Sequence, residues 1–164
     1  MGTMKVIAAV LFVLVSSCHY STGYPLHASC KIKWTWDVAC SDVQSAIVDQ
    51  INKWSGDDCG SGEKCKYKLT GNAENKVTAT HTTPKKKYVD DLTFDFTPTG
   101  GNSGCQVQGK STSETWYAIL DYSTNYCNLH NLITGAGLDK QPGYVESTSD
   151  SVCTQYSSAN CEKY

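Results

Sequence analysis

The 164-residue sequence contains no arginine. Arginine grips carboxylates and phosphates through two parallel hydrogen bonds, so its absence argues against a nucleotide or nucleic-acid site. Acidic and basic residues nearly balance, with a formal net charge of −2. A chain with that balance has no general electrostatic attraction for nucleic acid. We therefore predict no nucleic-acid partner.

Long apolar segments are also scarce. The longest, 6–15, has ten residues, whereas a helix needs about 20 to cross a bilayer. It follows a lysine and precedes small residues, which is the layout of a secretory signal peptide. We predict a signal peptide at 1–23, cleaved after Gly23, with cleavage nearer Cys18 as the alternative. The rest, 24–164, is predicted to be one secreted, extracellular domain that does not span a membrane.

Short motifs that mark common sites are missing as well. The sequence has no Asn-x-Ser/Thr acceptor for an N-linked glycan, no Gly-x-Ser-x-Gly and no His-Glu-x-x-His. The histidines beyond the signal region do not form a short pair of metal ligands. We predict no catalytic residue, no metal site and no cofactor, and this interpretation leans against an enzyme.

Cysteine, in contrast, is abundant. Of nine cysteines, Cys18 falls in the signal region and eight remain. An even number in an oxidising compartment predicts four disulfides. Spacing singles out only Cys59 and Cys65, which flank GSGEK and could close a small loop. The eight predicted disulfide cysteines are Cys30, Cys40, Cys59, Cys65, Cys105, Cys127, Cys153 and Cys161.

One of these cysteines lies close to a histidine. In NYCNLHNLI, 125–133, Cys127 and His130 stand three residues apart, on one face of a helix. Such a pair suits a nucleophilic thiol with its base, half of a metal site, or a cystine beside a histidine. A catalytic thiol must be unpaired, whereas the even cysteine count assigns Cys127 to a disulfide. The sequence therefore favours the cystine interpretation.

Apolar periodicity predicts the secondary structure. Segment 31–38 alternates as a half-buried strand does. A Ser-x-x-Gln capping box at 41–44 precedes apolar residues spaced four, four and three apart, which predicts an amphipathic helix over about 42–54. A short helix is predicted to end at Gly135. The other strand-like runs are KYKLT, KVTATHT, LTFDF, CQVQGKS and ETWYAILD.

Together these elements predict an α+β fold: an antiparallel sheet of about five strands with one long amphipathic helix on one face, stabilised by disulfides. From about 135 to 164 the chain is polar, and we expect Cys153 and Cys161 to staple this tail to the body. Trp34 and Trp36 share one face of the first strand. Exposed, they would form a binding surface; buried, they would form core, which the neighbouring Ile32 favours.

Three segments carry a resemblance. YVDDLTFDF, GKSTSE and LDYSTNYCNLHNL resemble the core of a widespread uncharacterised domain of bacteria and plastids, whose pattern runs Asp-Asp-x-Glu-Phe, Arg-Ser-x-Ser-Arg and Asp-x-Gly-x-Asn-Arg. Lysine and glutamate at 110 and 114 replace two of its arginines. The chain also looks like uncharacterised cysteine-rich secreted proteins of animals. The positions that match the domain's pattern are Asp90, Asp91, Phe94, Ser111, Ser113, Asp121 and Asn125.

The resemblance supplies no activity, so three functional hypotheses stand. The first is a non-enzymatic extracellular protein, either a structural component of the matrix or a binding module with a matrix or protein partner. The second is a small-ligand carrier with an apolar pocket between helix and sheet. The third is a secreted hydrolase that uses carboxylates and a histidine. The candidate functional cluster comprises Asp90, Asp91, Asp121, Asn125 and His130.

Overall fold

The computed structural model describes residues 27–114 and 120–163. The predicted signal peptide and most of the ETWYAILD strand lie outside these residues. Within them the elements run β1 (Ser29–Trp36), α1 (Cys40–Lys53), β2 (Tyr67–Ala73), β3 (Lys76–Thr82), β4 (Val89–Thr99), β5 (Gly104–Ser113), α2 (Thr124–Gly135) and β6 (Val145–Ser147).

The strands form one antiparallel sheet in the order β2-β3-β4-β5-β1-β6. This confirms the α+β architecture and the short helix that ends at Gly135. The predicted sheet of about five strands with one long helix on it is corrected, among the described residues, to six strands with two packed helices. The missed strand, β6, has three residues, and Val145 and Ser147 are exposed. A strand this short, with exposed residues on either side of Glu146, does not show the alternation of apolar and polar residues from which strands are predicted.

Alternating side chains give the sheet two different faces. On β1, Cys30, Ile32, Trp34 and Trp36 are buried, while the residues between them are exposed or half-buried. Both helices pack on this covered face, because each carries an apolar stripe. The stripes consist of Val43, Ile47 and Ile51 on α1, and of Leu129, Leu132 and Ile133 on α2.

Helix α1 begins two residues before the predicted start. Its N-terminal cap is Ala39, whose carbonyl accepts from the amides of Asp42 and Val43, and no side chain caps it. The predicted capping box is therefore wrong. Gln44 instead donates to the Asn72 side chain (2.7 Å) and to the backbone at the end of β2. A tertiary contact has replaced the local one.

Four disulfides join the elements. They pair Cys30 with Cys153, Cys40 with Cys105, Cys59 with Cys65, and Cys127 with Cys161. The predicted set of eight and the Cys59–Cys65 loop are confirmed. Two of the bonds fix the C-terminal segment to β1 and α2, as the sequence predicts. Neither described helix is long and apolar enough to cross a membrane.

Candidate functional site

The two tryptophans of β1 lie in the core. Trp34 is 0% exposed and Trp36 is 2% exposed. Their indole nitrogens donate to Glu146 (2.9 Å) and to the Leu138 carbonyl (2.8 Å). Gly109, opposite on β5, leaves room for the Trp34 ring, since a Cβ there would lie 2.4 Å from it. The two rings therefore belong to the core, as the neighbouring Ile32 predicts. The alternative interpretation as a binding surface is corrected, because both rings lie on the covered face of the sheet.

The paired aspartates of β4 point in opposite directions, as neighbours on a strand must. Asp90 is buried on the covered face, whereas Asp91 is exposed on the other face. The structure therefore separates Asp91 from the rest of the predicted cluster. Asp90 remains with Asp121 and Asn125.

The Asp90 carboxylate lies in a buried polar network. It accepts from the Ser113 hydroxyl at 2.6 Å and from the Asn128 side-chain amide at 2.7 Å. Asn128 is on α2, three residues after Asn125, so one face of the helix carries both amides. The network thus joins β4, β5 and α2.

Asn125 is the centre of the network. Its amide nitrogen donates to Asp121 (2.7 Å) and contacts the Ser113 hydroxyl (3.3 Å), while its oxygen accepts from Ser111 (2.6 Å). The other Asp121 oxygen accepts from the backbone amide of Ser123 (3.1 Å). The two aspartates, two serines and two asparagines, all buried, therefore form one chain of hydrogen bonds.

The pKa values of both carboxyl groups in the network are shifted. Burial raises the pKa of Asp90, while the hydrogen bonds from Ser113 and Asn128 oppose the shift. Burial also raises the pKa of Asp121, against its hydrogen bonds with Asn125 and Ser123. Every oxygen of the two carboxylates has a partner, and a substrate would have to displace one to reach it. The network therefore acts as a clamp that holds α2 on the sheet.

His130 belongs to a second cluster, around Glu146 of β6. Its Nδ1 lies 3.0 Å from a Glu146 oxygen and 3.0 Å from the Tyr126 hydroxyl. Glu146 also accepts from Tyr126 (2.8 Å), Trp34 (2.9 Å) and Tyr144 (3.2 Å). Burial alone would raise the pKa of Glu146, but the hydrogen bonds from His130, Trp34 and Tyr126 outweigh it and lower the pKa. This cluster fixes the edge strand β6 to α2 and β1.

The question of Cys127 is settled by its bond to Cys161. A disulfide sulfur is neither a nucleophilic thiolate nor a metal ligand, so the cystine interpretation is confirmed. Within 27–114 and 120–163, no group of three or more His, Cys, Asp or Glu side chains is arranged to hold a metal ion.

His81 of β3 is a buried histidine that the sequence analysis did not single out. It is 0% exposed, and its ring centroid lies 4.5 Å from that of Tyr67. Its Nε2 donates to the Glu63 carbonyl (2.9 Å), while Nδ1 has no hydrogen-bond partner among the described residues. Burial lowers the pKa of His81 to about 4. The imidazole is therefore neutral at pH 7, with its proton on Nε2.

The second face of the sheet, which we call the open face, carries polar side chains, and neither helix packs on it. Threonines and lysines dominate it. A shallow depression of about 370 Å³ lies over β3, β4 and β5. Its polar lining consists of Thr70, Thr78, Thr93, Thr112, Asp91 and Lys110. The open face also carries exposed Lys31, Lys33, Gln108 and Asp95.

Sequence reasoning missed several members of both buried clusters. Asn128 could have been found, because it lies three residues from Asn125 on the same helical face. Glu146 had no local signal, since it comes to β1 only through the fold of the C-terminal segment. The lysines of the open face are visible in the alternation of β1, but their neighbours across the sheet depend on register.

Comparisons with protein-family models and with curated proteins give no match. The resemblance to the bacterial and plastid domain therefore stays a prediction. The geometry adds one fact to it: Asp90, the two serines of β5, and the Asp121–Asn125 pair all meet in the buried network.

Proposed function

We propose that this protein is a secreted, non-enzymatic binding module of the extracellular matrix, and that the open face of its sheet is the binding surface. The observation that carries the proposal is the contrast between the two faces. One face is closed by helices and buried networks, whereas the other presents exposed polar side chains on a rigid support. Side chains held on strands keep a fixed spacing, which lowers the entropy cost of binding.

The disulfides support an extracellular setting, because such bonds persist in oxidising compartments. They also make the support rigid. Cys40–Cys105 ties α1 to β5, and Cys30–Cys153 ties β1 to the C-terminal segment. Three lysines of the open face, Lys31, Lys33 and Lys110, stand on these two strands, β1 and β5.

The two other hypotheses have less support. A carrier needs a largely enclosed apolar pocket. The depressions found among the described residues, of about 350 to 500 Å³, are open and have polar groups in their linings. A hydrolase needs reachable acid and base groups. Asp90 and Asp121 are instead buried, with their oxygens engaged in the network.

An N-linked glycan attached to the open face can test whether this face is the binding surface. The substitution Asp91→Asn creates the acceptor sequence Asn-Leu-Thr on the open face, and Lys53→Asn creates Asn-Trp-Ser at the exposed end of α1. Both variants and the unchanged protein are secreted from a host that attaches N-glycans. Intact mass confirms the glycan, and each protein is then applied to cell-free extracellular matrix.

We expect the unchanged protein and the Lys53→Asn glycoform to stay on the matrix and the Asp91→Asn glycoform to wash off. The amidase that removes N-glycans converts the modified asparagine to aspartate, so it regenerates native Asp91 and should restore retention. Equal retention of both glycoforms would place the binding surface elsewhere. Loss of the unchanged protein in the first wash would contradict matrix binding itself.

A further inference from the structure

Three lysines form a patch on the open face, made of Lys31 and Lys33 on β1 and Lys110 on β5. Lys31 lies directly opposite Lys110 in the strand register. Lys33 lies two residues along the same strand, about 7 Å away. Like charges directly opposite each other on neighbouring strands are destabilising. The sheet therefore carries an unfavourable pair at an exposed position.

Carboxylates lie near this patch among the described residues, but none of them forms an ion pair with it. The three lysines take part in none of the ion pairs found there. On the neighbouring strand β4, Asp95 is paired with Lys76 at 2.8 Å. Asp91 stands opposite Thr112, one step diagonal from Lys110. The lysine patch thus has no ion-paired carboxylate among the described residues, although the whole chain has a slight negative charge.

A second lysine cluster gives the useful contrast. Lys85, Lys86 and Lys87 lie in the turn between β3 and β4 and are exposed. Burial raises the pKa of the Glu63 carboxyl, and the positive charge of Lys85 opposes that shift. Lys66 lowers the pKa of the Asp57 carboxyl, with a smaller contribution from Lys87. The turn lysines therefore have acidic neighbours, and they stand on a turn rather than on paired strands. Of these two clusters, the sheet patch is the one whose lysines stand on paired strands with a fixed spacing.

Resting on the proposed function, we infer that the lysine patch binds a sulfated polysaccharide. Closely spaced ammonium groups match a chain with dense anionic groups, whereas a carboxylate-only chain such as hyaluronan carries its charges further apart. The hydroxyl of Thr93 stands opposite Lys110 on β4 and suits hydrogen bonds to sugar hydroxyls. Nucleic acid fits less well, because the chain has no arginine and the described residues opposite these lysines, Gln108, Ser147 and Thr93, offer no aromatic ring on which bases could stack.

Two matched triple variants test the inference. The first replaces Lys31, Lys33 and Lys110 with glutamine, and the second replaces Lys85, Lys86 and Lys87. Both remove the same formal charge. Binding to immobilised heparin is measured across a salt series, with hyaluronan and duplex DNA as parallel probes. Thermal unfolding confirms that both variants fold.

We expect the sheet triple variant to lose heparin affinity by more than about tenfold at low salt. The slope of log affinity against log salt should fall by about 2.7, because each of the three lysines accounts for just under one released counterion. The turn triple variant should keep most of its affinity. Hyaluronan and DNA should bind more weakly than heparin to the unchanged protein.

Three results would overturn the inference. An equal loss in the two triple variants would mean attraction by net charge alone. Equal affinity for hyaluronan or DNA would remove the sulfated polysaccharide as the preferred ligand class. Absence of heparin binding would rule out a sulfated polysaccharide as the ligand. The matrix retention of the Asp91→Asn glycoform then decides separately whether the proposed function stands.

Discussion

The two faces of the sheet use alternate residues of the same strands for opposite purposes. On the covered face, polar groups are buried and joined in networks, such as that of Asp90 and Asn125. On the open face, Lys31 and Lys110 stand exposed and opposite each other without an ion pair among the described residues. A polar residue on the covered face therefore serves stability, whereas one on the open face is available to a partner.

The largest difference between the faces should come from Asn125→Leu. The change removes the side-chain amide that donates to the Asp121 carboxylate and accepts from the Ser111 hydroxyl, and it leaves both groups buried. We expect the free energy of unfolding to fall by about 3–5 kcal/mol. The matched change on the open face, Gln106→Leu, should cost less than about 0.5 kcal/mol. Urea unfolding of the two variants measures both values, and similar costs would contradict the comparison.

A second test uses pH and His81 of the covered face. Its pKa is about 4 in the folded protein against an ordinary value of 6.5 in the unfolded chain, so between these values the unfolded chain binds the extra proton. Stability therefore falls as pH drops from 6.5 to 4, by about 3 kcal/mol from this group. The variant His81→Phe should lack that contribution. Unfolding across this pH window should show a shallower loss in the variant, and identical slopes would contradict the account.

Asp90 and Asp121 act in the opposite direction in the same experiment. Because their pKa values are raised in the folded protein, they favour folding at low pH and oppose it as pH rises through those values. They are common to the unchanged protein and to His81→Phe. The difference between the two curves therefore isolates His81.

The Glu146→Gln substitution tests the clamp on β6. Glutamine keeps one oxygen but turns an NH₂ group toward donors from His130, Trp34 and Tyr126. We expect a loss of about 1–3 kcal/mol in the free energy of unfolding. Glu162→Gln, at an exposed position in the same C-terminal segment, should change it by less than about 0.5 kcal/mol. Equal thermal unfolding of the two variants would show that Glu146 does not hold β6.

The Glu146 cluster should also respond to acid. Because the pKa of Glu146 is lowered in the folded protein, its contribution to stability is present above the unfolded value of 4.5 and is lost as pH falls through the folded value. The gap in the free energy of unfolding between Glu146→Gln and the unchanged protein should therefore narrow as pH falls below 4.5. A constant gap would contradict the charged interaction.

The smallest stability change should come from the open face. Replacing Lys31 and Lys110 together with glutamine removes a like-charge pair, so we expect a gain of about 0.2–1 kcal/mol at low salt. The gain should shrink as salt rises, because exposed charges are screened. A salt-dependent thermal unfolding series measures it. A clear loss of stability would mean that these lysines serve the fold rather than a partner.

Whether the sequence alone predicts a feature depends on how far apart in the chain the residues that determine it lie. The alternation of β1 and the spacing of Val43, Ile47 and Ile51 are local, and both elements were predicted. The opposite directions of Asp90 and Asp91 follow from strand geometry alone. The Cys59–Cys65 loop is equally local, since the two cysteines stand six positions apart.

What the sequence did not reveal depends on long-range pairing. Glu146 meets Trp34 only when β6 pairs with β1, 112 residues apart in sequence. The Lys31–Lys110 pair depends on the register of β1 and β5. The capping box failed for a related reason, because Gln44 found a tertiary partner in Asn72. Such contacts depend on which of several distant residues pair in the folded protein. A local sequence pattern contains no information about that choice.

The most direct test of the two-face account is a lysine footprint. The protein is acetylated under limiting conditions, free and with bound heparin, and the modified lysines are counted by mass spectrometry. The account predicts that Lys31, Lys33 and Lys110 lose reactivity in the complex while Lys85, Lys86 and Lys87 keep it. Protection of the turn lysines, with the sheet lysines unchanged, would contradict the assignment of the open face as the binding surface.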